Sequence, residues 1–160
     1  MVEFSYHSGI YTLKVKQELK MSLDKAWSFF SNPNNLSKIT PENMGFKITS
    51  DIPKLIYEGQ IITYKVSPFF GLKMNWVTEI THVKDKEYFI DEQRFGPYSM
   101  WHHEHYFKSK GDKTEIIDKV SFKVPFSFIG RLFTPIIVIP QLKKIFNHRI
   151  ETLHKKYNHE

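Results

Sequence analysis

From residue 46 to residue 124 the chain alternates apolar and polar side chains with a two-residue period, and beyond residue 132 the period lengthens to three or four. This change of period constrains the fold more than any composition figure, because it calls for consecutive β-strands followed by one amphipathic helix. Residues 60–66 set Ile62, Tyr64 and Val66 against Ile61, Thr63 and Lys65. Residues 72–83 set Met74, Trp76, Thr78 and Ile80 against Lys73, Asn75, Val77 and Glu79. Further strands are predicted over 88–95, 99–109 and 113–124, with Lys110-Gly111-Asp112 as a turn. Pro68 and Pro97 fall at strand ends, where a missing N–H does least harm.

Upstream, residues 11–20 read as the first strand, and Ser22 caps a helix over 23–30 that stops near Asn32-Pro33. A second short helix is expected over 34–38, before Thr40-Pro41. Downstream, Leu132, Ile136, Ile139, Leu142, Ile145 or Phe146, Ile150, Leu153 and Tyr157 form one helical stripe. Pro140 must kink this helix or open its main portion, since a mid-helix proline costs about 3 kcal/mol. From residue 140 to 157 such a helix is about 27 Å long, enough to cross a sheet. The economical packing is α+β: a curved antiparallel sheet wrapped around the long C-terminal helix, with two short helices after the first strand. The ends of such a groove cannot both close, so a cavity is expected. A length of 160 residues fits one domain, 1–160.

Bulk properties exclude several functions. The chain has no cysteine, which removes disulfides, Cys-based zinc sites and thiol nucleophiles. Its net charge of +6 is spread over Lys14, Lys16 and Lys20 and over Lys143, Lys144, Arg149, Lys155 and Lys156. No continuous basic run or nucleic-acid motif appears, so these cations read as solvated surface and no nucleic-acid partner is expected. The opening residues lack a charged region followed by an apolar run, and the run 136–139 is far too short to span a bilayer. A cytoplasmic location follows as the expectation. No Ser-nucleophile motif, Gly-rich phosphate loop or HExxH is present. With 14 Phe, 8 Tyr and 3 Trp, the interior is built from large flat groups that leave irregular voids.

Where that void would lie is written in residues 91–107. Trp101, His103, His105 and Phe107 share one strand face, and His102, Glu104 and Tyr106 the other. Two imidazoles among aromatics suit a pocket wall better than a plain core. If Ser109 pairs with Asp112, His103 lies opposite Asp118 and His105 opposite Ile116. Asp118 then sits in the apolar face of Ile116, Val120, Phe122 and Val124, where a buried carboxylate needs an imidazole partner. A three-residue loop at Gly96-Pro97-Tyr98 would turn Phe89, Asp91, Gln93 and Phe95 inward, with Glu92 and Arg94 in water.

Four readings of this wall stand side by side. His103 and Asp118 can form a structural pair; His103, His105, Gln93 and Tyr64 can offer polar contacts to an apolar ligand. The His-x-His pair plus a carboxylate can make a three-ligand metal set. Alternatively, His103 with Asp118 can act as base and orienter in acid–base catalysis. Side chains at i and i+2 stand about 6.7 Å apart along a strand, which disfavours the metal set. No metal or other cofactor is expected. His148, His154 and His159 read as surface. The segments 126–130 and 135–140 read as a helix start packed over the cavity, and the Phe69-Phe70-Gly71 tip as a lid or hairpin plug. Membrane contact through them is the less favoured reading.

Several stretches carry a resemblance: Asn35-Leu36-x-x-Ile39-Thr40-Pro41, Gly59-x-x-Ile62-x-Tyr64, and Trp76-x-Thr78-x-Ile80. The pattern continues through Phe89-x-Asp91-Glu92-Gln93-x-x-Gly96-Pro97-Tyr98-x-x-Trp101-x-His103-x-His105-x-Phe107. Thr114, Asp118, Val120, Pro125 and Phe146-x-x-Arg149 complete it. In these residues and in element order the chain resembles the START/SRPBCC superfamily of helix-grip ligand binders, which includes polyketide cyclases, and within it a bacterial subgroup of unsettled function. Asp112-Lys113-Thr114 departs from the pattern, which has glycine before the threonine. The resemblance implies a deep cavity between sheet and helix, and binding of a small hydrophobic or amphipathic molecule. It implies as the alternative a cyclase or dehydratase whose inward His is the acid or base, with His103, His105 and Asp118 as the candidate catalytic groups.

The expected ligand contacts follow. Trp76, Phe89, Trp101, Phe107, Val120 and Phe122 supply apolar wall. Tyr64, Thr78, Gln93, His103, His105 and Asp118 supply polarity, and Leu142, Phe146 and Ile150 close the back.

Overall fold

The computed structural model describes residues 1–51, 53–67, 71–125, 130 and 132–158. Eight strands form one antiparallel sheet: β1 Val2–His7, β2 Ile10–Leu19, β3 Lys47–Ile48, β4 Ile61–Val66, β5 Met74–Lys84, β6 Tyr88–Phe95, β7 Met100–Lys110 and β8 Lys113–Lys123. Their order in space is β1-β2-β8-β7-β6-β5-β4-β3. Helix α1 spans Leu23–Phe30, and 3-10 turns follow at Pro33–Ile39 and Glu42–Met44. A π-helical turn over Thr134–Val138 leads into α2, Ile139–Tyr157. The sheet wraps around α2 in a helix-grip arrangement.

Local chemistry accounts for the elements. Ser22 caps α1 by accepting the Lys25 N–H at 3.3 Å, and Asn32 caps the next turn by accepting the Asn34 N–H at 3.1 Å. Pro140 stands in the first turn of α2, directly after the π-helical turn, so it opens the main α-helical portion. Past the far end, Asn158 accepts the Lys20 N–H at 2.8 Å and donates to the Glu18 carbonyl at 2.9 Å, tying the helix terminus to β2.

Strand β1 was not foreseen from the sequence. It pairs with β2 through a tight turn at Ser8 and Gly9, both left-handed with φ of 49° and 87°. Paired positive φ values make a type I′ hairpin turn, whose twist matches the flanking strands.

Two registers differ from expectation. The β7–β8 pairing is Lys110↔Lys113, so the turn is Gly111-Asp112 and His105, not His103, lies opposite Asp118. His103 faces Val120, and Ile116 faces Phe107. Gly111, at φ 70°, takes the first central position, the glycine site of a type II′ turn; the alternative would have forced Lys110 into that region. The inward set is unchanged, since each strand keeps its alternation.

In β6, Gln93 pairs with Thr78 but Phe95 pairs with Val77, leaving Arg94 as an extra residue in a bulge. Phe95 therefore turns outward and is 64% exposed, against the inward placement expected for it. Arg94 does stand outside, bound to Glu79 and Glu92. A second irregularity at Thr81 lets Ile80 and Val83 both fall on the inner side.

The core has two clusters. One gathers Leu13, Val15, Trp76, Trp101, Val120 and Phe122 against Leu142 and Phe146. The other gathers Leu19, Trp27, Phe29, Phe89, Phe107 and Ile116 against Leu153. Between them run His103, His105, Asp118 and Arg149, all buried.

Candidate functional site

A cavity of about 190 Å³ lies between the sheet, α2 and the α1 region. Sheet residues Tyr64, Trp76, Thr78, Phe89, Trp101, His103 and His105 line it, as do Leu142 and Phe146 of α2. All nine were expected ligand contacts. Six other expected contacts lie off its lining. Val120 and Phe122 are fully buried beneath the Trp101 layer, and Phe107 belongs to the second core cluster. Ile150 packs at the edge of the first cluster. Gln93 donates to the Tyr98 carbonyl at 2.6 Å and accepts the Tyr98 N–H at 3.2 Å, bracing the β6–β7 loop. Asp118, 1% exposed, stands behind the two histidines.

The lining also includes residues that sequence reasoning left out. Phe29, Phe30, Leu36 and Ile39 bring in the α1 region, and Tyr98 enters from the β6–β7 loop. Asp91 was placed inward but not assigned to the site; it lines the cavity beside His103 and His105. Arg149 was read as solvated surface, and here the structure corrects the sequence: it is 8% exposed and faces the cavity. The signal was present in the spacing, because Leu142, Phe146, Arg149 and Leu153 step by four, three and four and share one helix face. Among the other helix histidines, His148 is half-buried and His154 exposed, while His159 lies outside the described residues, as do Phe69, Phe70 and residues 126–129.

The two imidazole rings stand much closer than their spacing along the strand implies. Their ring centroids are 3.7 Å apart. His105 also stacks on Phe89 at 4.1 Å, and His103 meets the edge of Phe146 at 6.0 Å. A carboxylate stands at each end of the pair. His103 Nε2 is 3.1 Å and His105 Nδ1 2.8 Å from Asp118 Oδ1; the second contact is not aligned as a hydrogen bond. On the cavity side, His105 Nε2 donates to Asp91 Oδ2 at 2.9 Å, and His103 Nδ1 is 3.5 Å from the same oxygen. Arg149 reaches to 3.8 Å from Asp118 Oδ1, lies over the Phe146 ring at 4.9 Å, and leaves its buried Nε without a partner.

These contacts set the electrostatics. Burial alone would raise the Asp118 carboxyl, but the hydrogen bond from His103, the close contact and charge of His105 and the charge of Arg149 hold it well below the usual range. Asp91 is lowered in the same way, against burial, by the charge of His103 and by the hydrogen bond from His105. Burial and the neighbouring ring lower His103. His105 is raised, because its two carboxylate partners outweigh burial.

A second polar group sits farther along the wall. Trp76 Nε1 donates to Thr78 Oγ1 at 3.0 Å, and the Tyr64 hydroxyl is 2.6 Å from the same oxygen. Burial, with the charge of Asp91, pushes the Tyr64 phenol above its ordinary range, so it stays neutral.

No family model and no curated protein matches the chain. Solved structures do. Protein Ms6760 of Mycobacterium smegmatis is 15% identical over 98% of each chain, with a TM-score of 0.66. A protein of Arthrobacter aurescens is 9% identical over 97% of this chain and 91% of that one, with a TM-score of 0.70. Ginseng major latex-like protein 151 is 13% identical over 91% and 99%, with a TM-score of 0.64. At such identities the likeness is one of fold. The sheet and helix are arranged as a ligand-binding groove requires, and among the described residues no helix is long and apolar enough to cross a membrane.

Proposed function

We propose that this chain is a binding protein of the START/SRPBCC type, holding a small, largely apolar molecule between the sheet and α2. The observation that carries the reading is the cavity itself. Its 190 Å³ exceeds the roughly 150 Å³ of apolar void that takes up a benzene, so a molecule with at least one ring fits. Trp76, Phe89, Trp101 and Phe146 offer flat apolar surface, and the polar groups are few and confined to patches. That division suits an amphipathic ligand whose polar end meets the histidines.

Titration with indole, a neutral and largely apolar two-ring molecule, by calorimetry tests this. Saturable one-site binding is expected. Ile145→Trp, which fills the cavity from α2, should weaken it at least tenfold. Absence of saturable binding, or equal binding by the filled variant, would overturn the reading.

A further inference from the structure

The two imidazoles face more acceptors than they have protons to satisfy. Four ring nitrogens lie within 3.5 Å of a carboxylate oxygen, two at Asp118 and two at Asp91. A carboxylate only accepts, and two neutral imidazoles carry only two N–H groups. The two aligned hydrogen bonds use one proton each, His103 Nε2 toward Asp118 and His105 Nε2 toward Asp91. His105 Nδ1 at 2.8 Å and His103 Nδ1 at 3.5 Å then face carboxylate oxygens with lone pairs. A third proton, on His105, relieves the first and leaves the His103 lone pair toward Asp91. An ion that binds lone pairs relieves the whole cavity side at once.

We propose that Asp91, His103 and His105 bind a divalent transition-metal ion of the Zn²⁺ type, with Asp118 orienting both imidazoles from behind. The donor atoms already converge. Asp91 Oδ2 is 2.9 Å from His105 Nε2 and 3.5 Å from His103 Nδ1, and the three lie within 4.8 Å of one another. A tetrahedral ion with bonds of 2.0–2.1 Å sets its ligand atoms roughly 3.3 Å apart, so small side-chain shifts complete the set. The other ring nitrogens point at Asp118, the outer carboxylate that ligating histidines commonly require.

Charge agrees. With neutral imidazoles, Asp91, Asp118 and Arg149 sum to −1, so the cluster presents net negative charge to a divalent ion. The fourth position then opens toward the cavity, where it takes water or an anionic group beside Arg149. Burial on two neighbouring strands fixes the rings before the ion arrives, as a built site needs.

The test uses the full-length protein, stripped with chelator and titrated with Zn²⁺ by calorimetry and with Co²⁺ by visible absorption. One saturable equivalent is expected, with the intensified Co²⁺ bands of a four-coordinate site. Asp91→Asn and His105→Gln should each weaken Zn²⁺ binding at least 100-fold, Asp118→Asn by 10–100-fold. His154→Ala, on the exposed helix face, should leave it unchanged. Two results would overturn the proposal: no saturable equivalent in the wild-type chain, or affinity retained in Asp91→Asn and His105→Gln. The Co²⁺ spectrum of the wild-type protein decides the matter even where a variant misfolds. Neither readout depends on an apolar ligand, so this proposal and the cavity reading can fail separately.

Discussion

The two polar groups on the cavity wall were built under opposite rules. At one, the neutral side chains of Trp76 and Tyr64 meet the single hydroxyl of Thr78 through two hydrogen bonds. At the other, Asp91, His103, His105, Asp118 and Arg149 gather charge in a buried space with a surplus of acceptors and an unpartnered guanidinium nitrogen. A neutral hydrogen-bonded group rigidifies the wall. A charged one short of protons has chemistry left to do. The proposed function therefore rests on the second group, with the first as framework.

Substitutions can break the comparison. The largest effect is expected at Asp118→Asn in chelator, which removes the buried carboxylate nearest Arg149 and the acceptor facing both imidazoles. Losing one partner of a buried pair costs about 3–5 kcal/mol, measured by urea unfolding. Thr78→Val should cost less, about 1–3 kcal/mol, because it strands the Trp76 and Tyr64 donors without changing the packing volume much. A loss at Thr78 as large as that at Asp118 would erase the distinction drawn here. Arg94→Ala, exposed on the outer face with half-buried Glu79 and Glu92 as partners, should cost about 0.2–1 kcal/mol, the smallest of the series.

Much of this was legible in the sequence. Alternation assigned the inward faces of β4, β5, β7 and β8 correctly, because a two-residue period survives any register shift of two. Register itself was less legible. It depended on whether glycine at 111 took the first or the second central turn position, and that choice moved Asp118 from opposite His103 to opposite His105. Bulges carry almost no sequence signal, which is why Phe95 was placed inside. The cavity lining was readable in its aromatics and its histidines, and Arg149 was missed. A cation on a basic helix looks solvated until the helix face it shares with Leu142, Phe146 and Leu153 is traced. Nor could linear spacing show that the His103 and His105 rings lie 3.7 Å apart.

The claim on which the account rests is that the space between sheet and α2 holds a small molecule. Native mass spectrometry of freshly purified protein tests it most directly. The account predicts a non-covalent adduct of small-molecule mass, released on denaturation and absent from Ile145→Trp. The bare chain mass in the wild-type protein, or the same adduct on the filled variant, would contradict it.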